Sequence, residues 1–173
     1  MPDFVTPTMI LAAWALAGYL LGSIPFGIVV ARLMGLGDLR QIGSGNIGAT
    51  NVLRTGSKPG AALTLIADAG KAGAAVLLAR ALVADDAAQL AGLAAFFGHC
   101  YPIWLKFRGG KGVSTFFGLL FALAWPIGLA AGATWLIIAA IFRYSSLAAL
   151  VTATLTPLFM IILSQSQLLA ISI

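Results

Sequence analysis

The chain reads as a series of long apolar runs broken by two glycine-rich polar stretches. The first run, about residues 8–34, is too long for the core of a signal peptide and predicts a membrane span. Asp3 stands ahead of it, where a signal peptide would carry basic residues. Pro25 lies inside this run, close to Tyr19, Gly22 and Ser23. It predicts a kink, because proline has no N–H to donate to the preceding turn. Ser57-Lys58-Pro59-Gly60 predicts a helix start, with Ser57 as N-cap and Pro59 in the first turn. A second span then runs to about Val83. Asp85-Asp86 predict an acidic turn before a third run over about residues 87–97. At about 1.5 Å per residue that run is too short to cross a bilayer alone, so its helix is expected to continue or re-enter.

Further spans are predicted over about residues 113–126, 126–142 and 147–163, with Pro157 inside the last. Arg143-Tyr144-Ser145-Ser146 is a polar turn, and residues 164–173 predict the beginning of another span. The expected fold class is an all-α integral membrane protein, a helical bundle of six spans plus a partial seventh. Composition agrees: 61% of the residues are hydrophobic, 9% are charged, and the mean hydropathy is +1.03. A soluble domain carries roughly 25% charged residues, so this chain has too few to cover a water-facing surface. No hydrophilic stretch is long enough for a second domain, and a lone Cys100 excludes an internal disulfide.

Charge predicts orientation. Arg32, Arg40, Arg54, Lys58, Lys106, Arg108, Lys111 and Arg143 fall on one side if the spans alternate, and Asp3, Asp85 and Asp86 on the other. Only Arg80 lies at the wrong end. The positive-inside rule then places the polar loops in the cytoplasm and the N-terminus outside.

The first polar stretch is Ile42-Gly43-Ser44-Gly45-Asn46-Ile47-Gly48-Ala49-Thr50-Asn51-Val52-Leu53-Arg54. Its glycines permit close backbone approach to a ligand, and Arg54 offers a fork suited to phosphate. The alternative is a solvated connector. Its spaced glycines also match a dinucleotide pattern, which has no meaning without a βαβ unit. The second stretch runs from Gly98 to Gly112, with Gly109-Gly110-Lys111-Gly112 at its end. Lys111 among these glycines predicts a phosphate cradle; the bland reading is a basic patch on anionic headgroups. Gly112 stands where a Walker A loop needs Ser or Thr.

His99 is the only histidine and has no metal-ligand company, so no metal or cofactor is expected. It remains open as a general base, a phosphate donor or a structural donor. Asp68 and Lys71 share one helix face inside the second span, either as a neutralising pair or as functional groups.

GSIPFG at 22–27, GSGNIGATNVLR at 43–54, Asp68 with Lys71, GHCYPIWLKFRGGKG at 98–112 and RYSSLA at 143–148 resemble the bacterial PlsY family. These are membrane acyl-phosphate:glycerol-3-phosphate acyltransferases. The resemblance implies a seven-span fold with a cytoplasmic active site in the bacterial inner membrane. It implies acyl transfer from acyl phosphate to the sn-1 hydroxyl of glycerol 3-phosphate. Beyond these two substrates and the bilayer, no nucleic acid or obligatory protein partner is expected. Ser44, Arg54, His99 and Lys111 are the implied catalytic residues. Gly43, Gly45, Asn46, Thr50, Asn51, Gly109, Gly110, Gly112 and Ser146 are expected to bind substrate, and Asp68 and Lys71 to support them.

Two departures stand out. Ala72 occupies a position that is commonly glycine in the family. Family members also continue past Ile173, into a tail with a His-Arg-x-Asn-Ile pattern and a glutamate. Residues 1–173 are therefore expected to form a single acyltransferase domain lacking that tail. A catalytically impaired truncated member is one alternative. An organic-anion transporter or channel is another, and it would show an inverted repeat with matched broken helices, which the sequence does not display. A non-catalytic scaffold binding anionic lipids is a third.

Overall fold

The computed structural model describes residues 5–171, with side chains described over residues 5–163. All regular structure among them is helical. The helices are α1 (Thr8–Gly22), α2 (Phe26–Leu33), α3 (Ala49–Leu53), α4 (Lys58–Leu82), α5 (Asp85–Cys100), α6 (Val113–Leu123), α7 (Trp125–Phe142) and α8 (Ser145–Ile171). They fall into two compact units, Met1–Leu123 and Ala124–Ile173.

The first unit is held by small residues. Gly18 and Gly22 on α1 press against the backbone of Ala91 and Ala95 on α5, where added Cβ atoms would overlap carbonyl oxygens. Small residues four apart on both helices let the backbones meet, which favours association where burial from water supplies no driving force. The core continues through Leu11, Ala72, Ala75, Val76, Ala79, Ala87 and Ala88. Gly118 on α6 closes in the same way on Ala69 of α4. Large apolar side chains such as Ile66, Leu77, Leu78 and Leu82 point outward. That distribution suits a surface facing lipid.

The expected kink at Pro25 is a full break. Ser23, Ile24 and Pro25 separate α1 from α2. Ser57 caps α4 as predicted, its hydroxyl accepting from Gly60 N–H at 3.1 Å, and Pro59 lies in the first turn. The third run grows into the 16-residue α5, with Asp85 and Asp86 inside its first turn rather than in a connecting loop. Arg80, the cation on the unexpected side, pairs with Asp85 at 2.7 Å and donates to the carbonyls of Ala122 and Leu123 at the end of α6.

Among the described residues, four segments are long and apolar enough to cross a membrane: Thr8–Leu33 (α1 and α2 together), Lys58–Leu82, Trp125–Phe142 and Ser145–Leu163. At 16 and 11 residues, α5 and α6 rise only about 24 and 17 Å, short of a hydrocarbon core of about 30 Å. In the second unit, α7 opens with Pro126 in its first turn and ends at Phe142, capped by Arg143, whose left-handed backbone turns the chain into α8. Among the described residues, no new element starts after Leu163. α8 runs without interruption to Ile171, through Pro157, which corrects the expected boundary between a sixth and a partial seventh span.

Candidate active site

The break in the first span exposes backbone carbonyls inside the first unit, and two side chains from distant positions answer them. Trp104 donates from Nε1 to the Ser23 carbonyl at 2.7 Å. Lys71 donates from Nζ to the Ile24 carbonyl, also at 2.7 Å. Tyr19, one turn before the break, donates its hydroxyl to the Tyr101 carbonyl at 2.8 Å. Buried backbone oxygens need such partners, since an unmet one costs about 1–3 kcal/mol.

Lys71 is also paired with Asp68 at 2.9 Å, both side chains almost fully buried. His99 brings Nδ1 to 3.5 Å from the same Asp68 oxygen. The far side of the imidazole meets the glycine-rich loop, because a Cβ on Gly110 would overlap His99 Nε2. The His99 carbonyl accepts from Gly110 N–H and the Cys100 carbonyl from Gly109 N–H, each at 3.0 Å.

This geometry corrects the expected cradle in one respect. The N–H groups of Gly109 and Gly110 close the end of α5 and are spent there, so they are not free for a phosphate. These glycines are required by packing: Cβ atoms at Gly109 and Gly112 would strike the Cys100 and Phe96 region of α5. Lys111 stands exposed between Gly110 and Gly112, which turns the chain with φ 77°.

The first polar stretch folds around Asn51, which is 2% exposed. Its Nδ2 donates to the carbonyls of Leu39 and Asn46 at 2.8 and 2.7 Å. Its Oδ1 accepts from Ser44 N–H at 3.1 Å and lies 3.4 Å from both the Ser44 hydroxyl and Arg54 Nη1. Asn51, expected among substrate-binding residues, is thus the post that holds the loop, with its amide hydrogens already committed. Gly43 and Gly45 take positive φ, and a side chain on Gly43 would collide with Arg54 and Asn51. Asn46 accepts from Gly48 N–H at 2.9 Å. Ser44, Thr50 and Arg54 remain exposed around this core.

The turn just before the first polar stretch is tied to the second stretch: the Arg40 guanidinium donates to the Arg108 carbonyl. Neither Arg40 nor Trp104 figured in the sequence-based site, and nothing local in the sequence marks either. Ser146 lies in the second unit, exposed in the first turn of α8. An open depression of about 730 Å³ beside α2 is lined by Arg32 and Arg40 over Ile28, Ala31, Leu39 and Leu105. None of Ser44, Arg54, His99 and Lys111 lines it.

Comparison with known proteins identifies the family. Residues 12–173 match the family model described as glycerol-3-phosphate acyltransferase. A glycerol-3-phosphate acyltransferase of Dinoroseobacter shibae is 62% identical over 173 residues, covering all of this chain and 85% of the relative. One from Jannaschia sp. is 67% identical over 158 residues, covering 91% and 78%. Two crystal structures of PlsY (YgiH), an integral membrane glycerol 3-phosphate acyltransferase, superpose with TM-scores of 0.82 and 0.81 at 39% and 38% identity. Each alignment covers 88% of this chain and 76% of the neighbour; one neighbour is a glycerol 3-phosphate form and the other a lysophosphatidic acid form. The chain belongs to the glycerol-3-phosphate acyltransferase family, a family of integral membrane enzymes.

Proposed function

We propose that this protein transfers an acyl chain from an acyl phosphate to the sn-1 hydroxyl of glycerol 3-phosphate. The products are lysophosphatidate and inorganic phosphate. The observation that carries this reading is the Arg40–Arg108 link, which ties the turn leading into the loop of Ser44 and Arg54 to the loop bearing Lys111. Both loops expose cations and hydroxyls, as two anionic substrates require. The solved relatives in glycerol 3-phosphate and lysophosphatidic acid forms support the same substrate and product.

An acyl phosphate is a mixed anhydride and already activated. The glycerol oxygen attacks the acyl carbonyl carbon and forms the ester bond. The bond from that carbon to the phosphate oxygen breaks, and phosphate leaves with the electron pair. The hydroxyl proton passes to His99 or to the substrate phosphate. The chief need is to hold two anions together, and such positioning is worth about 7–11 kcal/mol in favourable cases. Arg54 and Lys111 neutralise the phosphates, and Ser44 stabilises charge on the carbonyl oxygen. Gly43, Gly45, Asn46, Thr50 and Gly112 shape or contact the substrate site, with Asn51 holding the first loop in place.

The reading extends to topology. Residues 1–173 act as one membrane-embedded domain of the bacterial inner membrane, with the basic loops cytoplasmic and the N-terminus outside. The acyl tail lies among the apolar helices. A donor comparison on purified protein tests the reaction. Acyl phosphate is expected to yield lysophosphatidate and phosphate one for one, and an acyl thioester to yield none; the opposite preference overturns the donor assignment.

A further inference from the structure

Three ionisable side chains lie buried together in the first unit. Asp68 is 1% exposed, Lys71 3% and His99 5%. Charged groups this deep persist only when paired; the pair lies on α4 and makes further contacts with the break at Ile24 and with His99 on α5. Lys71 holds the Ile24 carbonyl at the helix break, Asp68 meets Lys71 and His99, and His99 carries the glycine-rich loop through its carbonyl and its ring. Gly98, one residue before His99, packs so closely on Tyr19 and Ser23 that a Cβ there would overlap them. The loop bearing Lys111 is therefore seated on a continuous chain of contacts that begins at the break in the first span.

We infer that Asp68, Lys71 and His99 form a positioning bridge that sets the placement of Lys111 for the phosphate of glycerol 3-phosphate. The inference rests on the functional reading above and adds a role for residues remote from the exposed loops. Lys111 is exposed and flexible in its side chain, so the fixed point for its charge is the backbone of residues 109–112. That backbone is fastened to His99 and Cys100. The His99 ring in turn lies between Asp68, 3.5 Å from Nδ1, and Gly110, which leaves no room for a side chain beside Nε2. A displacement of about 1 Å at a charged binding group can cost about a hundredfold in a reaction that depends on alignment.

The test uses the full chain in detergent, with glycerol 3-phosphate binding followed by calorimetry and turnover by product formation. The double variant Asp68→Asn/Lys71→Met removes both buried charges together, so neither charge is left unpaired, and only the Ile24 carbonyl loses its donor. Its Kd and KM for glycerol 3-phosphate are expected to rise about tenfold or more, with KM for acyl phosphate little changed. Unchanged glycerol 3-phosphate binding in this variant overturns the inference. His99 supplies the second arm. His99→Asn places an amide N–H where Nδ1 stood and is expected to keep KM closer to wild type than His99→Ala does. Equal KM defects in the two also overturn the inference. A wild-type chain that binds glycerol 3-phosphate but transfers no acyl group contradicts only the functional reading; one that binds none contradicts both.

Discussion

Lys71 Nζ lies 2.7 Å from the Ile24 carbonyl and 2.9 Å from Asp68, so one buried ammonium serves a broken helix and a buried carboxylate together. Lys71→Met removes the cation and leaves Asp68 charged in the interior. A buried pair broken on one side costs about 3–5 kcal/mol, whereas exchanging both partners for neutral groups is often close to neutral. The expected result is a large fall in Tm for Lys71→Met, most of it regained in Asp68→Asn/Lys71→Met. Thermal unfolding of the detergent-solubilised protein measures both.

Trp104 contributes through its ring nitrogen. Trp104→Phe keeps much of the apolar ring but withdraws the donor from the Ser23 carbonyl. A loss of about 1–3 kcal/mol is expected, the usual cost of an acceptor left unmet in a shielded place. Chemical denaturation compared with wild type reads it directly.

Gly110 is fixed by its neighbour. Gly110→Ala drives a methyl group into His99 Nε2, so the ring or the loop must move. A stability loss of about 1–3 kcal/mol is expected from this overpacking, together with a raised KM for glycerol 3-phosphate. Gly35→Ala makes the contrast: φ is +65° there, but nothing lies within 4 Å of the added carbon. It is expected to lose about 1–2 kcal/mol from backbone strain alone, with KM unaffected.

Acid sensitivity has a definite source at Asp86. Burial pushes its carboxyl up, but hydrogen bonds from Thr6 N–H and hydroxyl, Ala87 N–H and Val5 N–H outweigh this and hold it below the ordinary carboxylate value. A carboxyl lowered on folding stabilises the protein fully above its unfolded value, about 3.9. That contribution is lost as pH falls through the lower folded value. Between about pH 4 and the folded value, Tm is expected to fall more steeply in wild type than in Asp86→Asn. Parallel curves for the two would contradict this assignment.

Local signals in the sequence carried the features with local causes. Ser57 and Pro59 start α4 because capping and proline geometry act within one turn. The polar loops and the membrane class followed from composition and run length. Pro25 pointed to a distortion, but not to a full break, because that depends on Trp104 and Lys71 arriving from elsewhere to meet the freed carbonyls. The same limit hid the job of the glycines at 109 and 110. Their spacing resembles a phosphate cradle, and only the packing of the loop on α5 shows that their N–H groups are already used. Asn51 was legible as a member of the loop, while its place at the centre emerged from bonds to Leu39 and Asn46. The boundary drawn at Leu163 failed because Ser and Gln do not stop a helix as Gly or Pro can; α8 passes through them.

The central claim is that the loop holding Arg54 works with the Lys111 loop on phosphate-bearing substrates. It is tested most directly by acyl transfer from acyl phosphate to labelled glycerol 3-phosphate, using the purified 173-residue chain with Arg54→Ala and Lys111→Ala beside it. Labelled lysophosphatidate from wild type, with KM for glycerol 3-phosphate raised in both variants, is the predicted result. No product from wild type at saturating substrate, or full activity with unchanged KM in both variants, would contradict it.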